Sequence, residues 1–130
     1  MNPKQFLQFG GAILVVLGAV GLLPVFTQAN TPWFYLDTGE NVAHIGLGVI
    51  AIAASYGLTD ASLQKWLVAV VGVVALFFGV YGFVVAGAAE PNTFGISNLE
   101  SPADNVLHLV VGAWALYAAF MGRATVSATA

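Results

Sequence analysis

Two histidines occur in this chain, and both stand in the same setting. Glu40-Asn41-Val42-Ala43-His44 and Asp104-Asn105-Val106-Leu107-His108 each bring together a carboxylate, an amide and an imidazole, and Gly48 and Gly112 follow four residues after each histidine. On a helix the acid and the histidine are i and i+4 and the amide and the histidine i and i+3, so each trio shares one face. Three uses of such a face are open. Each Asn and His can pin its helix to a neighbour by hydrogen bonds, worth roughly 0.6–2 kcal/mol apiece in a membrane. His44, His108, Glu40 and Asp104 can hold a divalent metal, two nitrogens and two carboxylates suiting zinc, iron or manganese. Two neutral imidazoles on separate helices can ligate a haem or chlorophyll-type pigments.

Other chemistry is argued against. With no cysteine, disulfides, thiolate chemistry, iron–sulfur clusters and covalent haem attachment are excluded. Haem propionates want cations, yet acids crowd the end where the histidines lie. No nucleophile–base–orienter set for hydrolysis is visible. Transport needs polar groups at mid-membrane depth, where the first and third helices offer only Tyr81, read as packing. Three scattered cations are too few for nucleic acid.

The elements that carry these faces must lie in lipid. Only 7% of the 130 residues are charged and 59% are apolar, and a chain so poor in charge cannot cover a water-facing surface. A bilayer core needs about 20 apolar residues per helix. Four stretches qualify: about Lys4–Phe26, Thr38–Leu58, Leu63–Ala88 and Pro102–Met121. An apolar run of that length, with a repeat partner in the third helix, marks the first as retained and not a cleaved leader. The second and fourth helices have capping-box starts, Asp37-Thr38-Gly39-Glu40 and Ser101-Pro102-Ala103-Asp104, with Pro102 at the first helical position.

The repeat extends beyond the histidines. Gly11, Gly18 and Gly21 match Gly72, Gly79 and Gly82 at an offset of 61, Lys4 matches Lys65, and Asn30-Thr31 corresponds to Asn92-Thr93. The glycines permit close helix approach. The chain therefore reads as one transmembrane domain, 1–130, an all-α four-helix bundle of two like-oriented hairpins, 1–60 and 61–130, related by a pseudo-two-fold axis along the membrane normal. Lys4, Lys65 and Arg123 fall on one side and five of the six acids on the other. The positive-inside rule puts both termini in the cytoplasm. Trp33, Phe34 and Tyr35 in the first outer loop, and Trp66 at the opposite face, suit interfacial belts.

With these residues in place, the chain resembles the prokaryotic four-helix membrane proteins gathered as domain of unknown function 4383. The likeness rests on Gly39-Glu40-Asn41-Val42-Ala43-His44 with Gly48, on Ala103-Asp104-Asn105-Val106-Leu107-His108 with Gly112, and on the glycine-rich first and third helices. The resemblance implies the same four-span fold and brings no activity, ligand or catalytic residue. The expectation is a non-enzymatic, multi-pass protein of a prokaryotic inner membrane. Its partners are the lipid bilayer and other membrane subunits or copies of itself, as a structural or accessory component, with no cofactor. The alternative is a metal or tetrapyrrole binder working through the two Asn-x-x-His motifs.

Overall fold

The computed structural model describes residues 1–122; Arg123, one of the three cations used for orientation, lies outside the described residues. The described chain is helical: α1 (Pro3–Gly21), a short 3-10 turn (Pro24–Phe26), α2 (Thr38–Gly57), α3 (Ala61–Val84) and α4 (Ala103–Phe120). By length and composition α1, α3 and α4 can each cross a membrane. The fourth expected span, α2, has 20 residues. Glu40, Asn41 and His44 near its start lower its hydropathy.

The helix ends follow from local chemistry. Asn2 and Gln5 form a capping box at the start of α1, a signal absent from the expectation. The expected first helix stops early. Pro24 lacks an N–H and forces Leu23 into extended backbone (φ −76°, ψ 137°), so the chain leaves α1 at Gly21 and restarts as a 3-10 turn. Asp60 caps α3 through the N–H groups of Ser62 and Leu63 at 2.6 and 3.2 Å, starting that helix at Ala61 and not Leu63. It ends at Val84, four residues before the expected Ala88, where the chain turns through Gly87 at φ +83°.

α1 packs closely along α2, and α3 along α4. α1 also touches α3 and α4, whereas α2 makes no comparable contact with either. An apolar core of Phe6, Leu7, Val68, Ala69, Ala115, Ala118 and Ala119 fills the end of the bundle near Lys4 and Lys65. Phe6 meets Trp114 edge-on at 4.7 Å. Outward, the helices present large apolar side chains, among them Ile13, Val16, Leu47, Ile50, Val73, Phe77, Val80, Val84 and Val110. That surface is stable only in an apolar solvent. Trp66 is exposed at the basic end, with Lys65 Nζ 5.7 Å from its ring. At the far end lie the acidic loops and the starts of α2 and α4.

Candidate functional site

Each asparagine of the repeated motif faces a glycine on the helix packed beside it. A β-carbon added at Gly21 would overlap Asn41 Oδ1, and one at Gly82 would overlap Asn105 Oδ1. The amide oxygen thus occupies the direction in which glycine carries only hydrogen, the geometry of a weak Cα–H···O contact. Asn41 is 3% exposed and Asn105 fully buried. Asn41 Nδ2 donates to Leu36 O at 3.2 Å, while neither amide atom of Asn105 has a conventional partner. In both helix pairs, α1 with α2 and α3 with α4, the amide is an interhelical contact.

The carboxylates behave differently in the two copies. Asp37 and Glu40 form a complete capping box: Asp37 Oδ1 accepts from Glu40 N at 2.9 Å and Glu40 Oε2 from Asp37 N at 3.1 Å. The fourth helix departs from the expectation. Pro102 is its N-cap, not its first helical residue, and Ser101 makes no capping bond. Asp104 Oδ2 instead accepts from Glu100 N at 2.9 Å, one residue further back than the capping box would reach. The backbone explains it: Asp104 N donates to Glu100 O, which brings the Glu100 N–H within reach of the shorter aspartate.

The imidazoles are half-buried in both copies. His108 Nδ1 lies 2.8 Å from the carbonyl of Asp104. A carbonyl only accepts, so Nδ1 carries the proton and Nε2 is the remaining nitrogen. The His108 ring also packs 6.0 Å from Phe78. His44 Nδ1 is buried with no partner.

Of the expected metal set, Glu40 and Asp104 do come together, but the third member of their group is Glu100. Ligand atoms of these three carboxyls all lie within 4.8 Å of one another, and neither histidine belongs to the group. Glu40 is 7% and Asp104 3% exposed. Both oxygens of Glu100 are buried and accept no hydrogen bond. Burial, then a side-chain hydrogen bond shared with Asp104 and the charges of Asp104 and Glu40, push the Glu100 carboxyl up to about 10.

A polar lattice between the two acidic-end loops surrounds this group. Asp37 Oδ2 accepts from Asn98 N at 2.7 Å, Asn98 Nδ2 donates to Tyr35 OH at 2.8 Å, and Tyr35 OH donates to Glu90 Oε2 at 3.1 Å. Asn92 Oδ1 accepts from Leu99 N at 2.9 Å, and Asn92 Nδ2 donates to Leu99 O at 3.2 Å. Asn30-Thr31, its counterpart by sequence, instead bonds back to Thr27 and Pro24. Tyr35, expected in an interfacial belt, is 7% exposed and holds the loops together, whereas Trp33 is 70% exposed as a belt residue would be. Burial and then the bond to Glu90 raise the Tyr35 phenol above its ordinary value, with Glu100, Glu90 and Asp37 adding to the shift.

Sequence reasoning missed Glu100, Asn98 and the role of Tyr35. Glu100 aligns with Leu36 at the offset of 64 that relates the histidines, so the repeat gave no reason to single it out. Its spacing of four before Asp104 was the one local signal.

A chain whose described residues are helical, with three membrane-length apolar helices among them and a buried acid–amide end, is, in class, a membrane protein. Its family is shown by sequence: the profile described as domain of unknown function (DUF4383) matches residues 4–121, nearly the whole chain, and the chain belongs to that family. No curated protein and no solved structure matches it.

Proposed function

We propose that this is a non-enzymatic four-span protein of a prokaryotic inner membrane, a structural or accessory component that assembles with other membrane subunits or with itself. One observation carries the reading: the repeated asparagines and carboxylates face inward. Asn41 and Asn105 lie on Gly21 and Gly82, Asp37 and Glu40 cap α2, and Asp104 ties down Glu100. What the long helices offer outward is apolar. A protein whose polar groups hold its own fold together, and whose accessible surface is membrane-facing, acts through that surface.

Two like-oriented hairpins fit the paired contacts. Gly48 approaches the Gly11 carbonyl, and Gly112 the Gly72 carbonyl, at positions equivalent under the repeat. Beyond its polar start, α2 runs from Ile45 to Ala54 without a charged residue, which supports a fourth crossing. Lys4 and Lys65 lie at the end opposite the acidic loops, which supports cytoplasmic termini.

A second reading, ligand binding through His44 and His108, has one observation in its favour: the buried, unpartnered Nδ1 of His44. The two readings are separated by purifying the protein from native membranes. The structural reading expects a particle larger than the monomer, with no Soret-type band and no metal that depends on the histidines. A strictly monomeric, partner-free particle counts against it. A pigment band or stoichiometric metal that disappears when His44→Ala and His108→Ala are combined replaces it with the second reading.

A further inference from the structure

We infer that the groove between α3 and α4 at the basic end of the bundle holds an acyl chain of an anionic phospholipid, with the lipid phosphate beside Lys65. The groove has a volume of about 260 Å³ and only apolar residues line it. Trp66, Val70 and Val73 form its α3 wall, Leu116 and Phe120 its α4 wall, and the buried Ala69 its floor. From Trp66 to Val73 the wall runs about 10 Å along the helix, so the groove follows the direction an acyl chain takes in a membrane that these helices cross. Trp66 and Phe120 meet edge-on at 6.1 Å at the basic end. Lys65 Nζ stands 5.7 Å from the first ring and 5.0 Å from the second. The half-buried lysine therefore carries its charge over the mouth of the groove, at headgroup level.

Shape and charge choose the occupant. A partner helix is about 10–12 Å across, and sites that enclose a drug-sized ligand run to roughly 300–1,000 Å³. A smaller, open groove takes a flexible hydrocarbon chain laid along it. A lysine at the membrane surface favours an anionic headgroup about fivefold. Asp60, the acid on the same side, has its Oδ1 engaged by the N–H groups of Ser62 and Leu63. The first helix pair supplies a contrast. Lys4 corresponds to Lys65 at the offset of 61, and Tyr56 to Phe120 at 64, and Lys4 Nζ stands 5.8 Å from the Tyr56 ring. The cation over a ring thus recurs, but the apolar lining does not. Gln5 stands in place of Trp66 and is tied into the capping box with Asn2, and Gln8 stands in place of Ala69. Lys4 is also exposed. The inference requires that α3 and α4 cross the membrane, as their length and composition allow, and is independent of assembly with other subunits.

The test uses the full chain in detergent micelles and native mass spectrometry, with phosphatidylglycerol and phosphatidylcholine of identical acyl chains as probes and Tm measured for every variant. The expected result is one phosphatidylglycerol retained per chain, about fivefold or more tighter than phosphatidylcholine. Lys65→Gln should bring the two lipids level, Lys65→Arg should keep the preference, and Lys4→Gln should leave it unchanged. Val70→Phe, at an exposed position, fills the groove and should weaken phosphatidylglycerol binding without lowering Tm. Equal retention of the two lipids by the unsubstituted chain overturns the inference. So does an equal loss in Lys4→Gln and Lys65→Gln, which would show a general attraction of the basic end. Full displacement of the lipid by glycerol 3-phosphate would assign Lys65 to a free anion, and a dimer that Val70→Phe breaks would give the groove to a second copy; either result also overturns it. A strictly monomeric particle that keeps the lipid supports this inference while counting against the proposed assembly.

Discussion

Asn105 Oδ1 rests on Gly82 where a β-carbon would stand, and Asn41 Oδ1 rests on Gly21 in the same way. These two contacts join the polar motif to the glycine pattern, which are separate features when read along the chain. The glycine sets how near the helices come, and the asparagine fills the space that its missing side chain leaves.

Gly82→Ala should therefore destabilise the protein by roughly 1–3 kcal/mol, the usual cost of forcing an extra group into a packed interior. Asn105 is fully buried and has nowhere to retreat. Chemical denaturation in micelles measures the loss. Adding Asn105→Ala to Gly82→Ala should recover much of it, because the overlapping amide is gone and its two unpartnered polar atoms go with it. A double variant weaker than the sum of the singles would refute the packing argument.

Asp37 does two jobs with two oxygens, capping α2 and receiving the Asn98 N–H of the other loop. Asp60 only caps α3. Replacement of Asp60 by Ala should cost about 1 kcal/mol, as lost caps do. Asp37→Ala should cost more, by roughly 1.5–3 kcal/mol for the hydrogen bond to a charged group. Equal losses in the two variants would mean that the Asp37–Asn98 bond contributes nothing.

Tyr35 gives a pH signature. Its phenol is raised above the ordinary value, chiefly by burial. The protonated form is the one that donates to Glu90, so its contribution is whole below the ordinary phenol value, about 10, and is lost as pH rises through the higher folded value. Stability should fall in strongly alkaline solution in the unsubstituted chain, with that part of the fall missing from Tyr35→Phe. Matching alkaline profiles for the two proteins would assign the loss to other groups.

The absence of cysteine makes topology directly measurable. Single cysteines at Gln28 and Gly95, in the two acidic-end loops, should react with a membrane-impermeant maleimide added to intact cells. A cysteine at Ser62, between α2 and α3, should react only after the membrane is opened. Labelling of Ser62→Cys from outside, or of only one of the two loops, would contradict four crossings with cytoplasmic termini.

The helices were legible in the sequence because their causes are local. A charge-poor, apolar run must seek lipid, Asp37 and Glu40 announce a helix start three residues apart, and the glycines of α1 and α3 mark faces that pack closely. Where those local rules were applied incompletely the boundaries moved, as at Pro24, which ended α1, and at Asp60, which began α3 early. The site was legible only in part. Asn41 and Asn105 stood out because they recur, and so did His44 and His108, yet the pairing of each amide with a glycine about twenty residues away depends on the angle at which two helices cross. The sequence drew Glu40 and Asp104 together with the histidines because all lie on one helical face. The tertiary structure grouped them with Glu100 instead, since a carboxylate at a helix start lies level with the adjoining loop, while an imidazole one turn deeper meets the flanking helix. Convergence of side chains from three segments is set by how loops close, and no spacing along a single element encodes it.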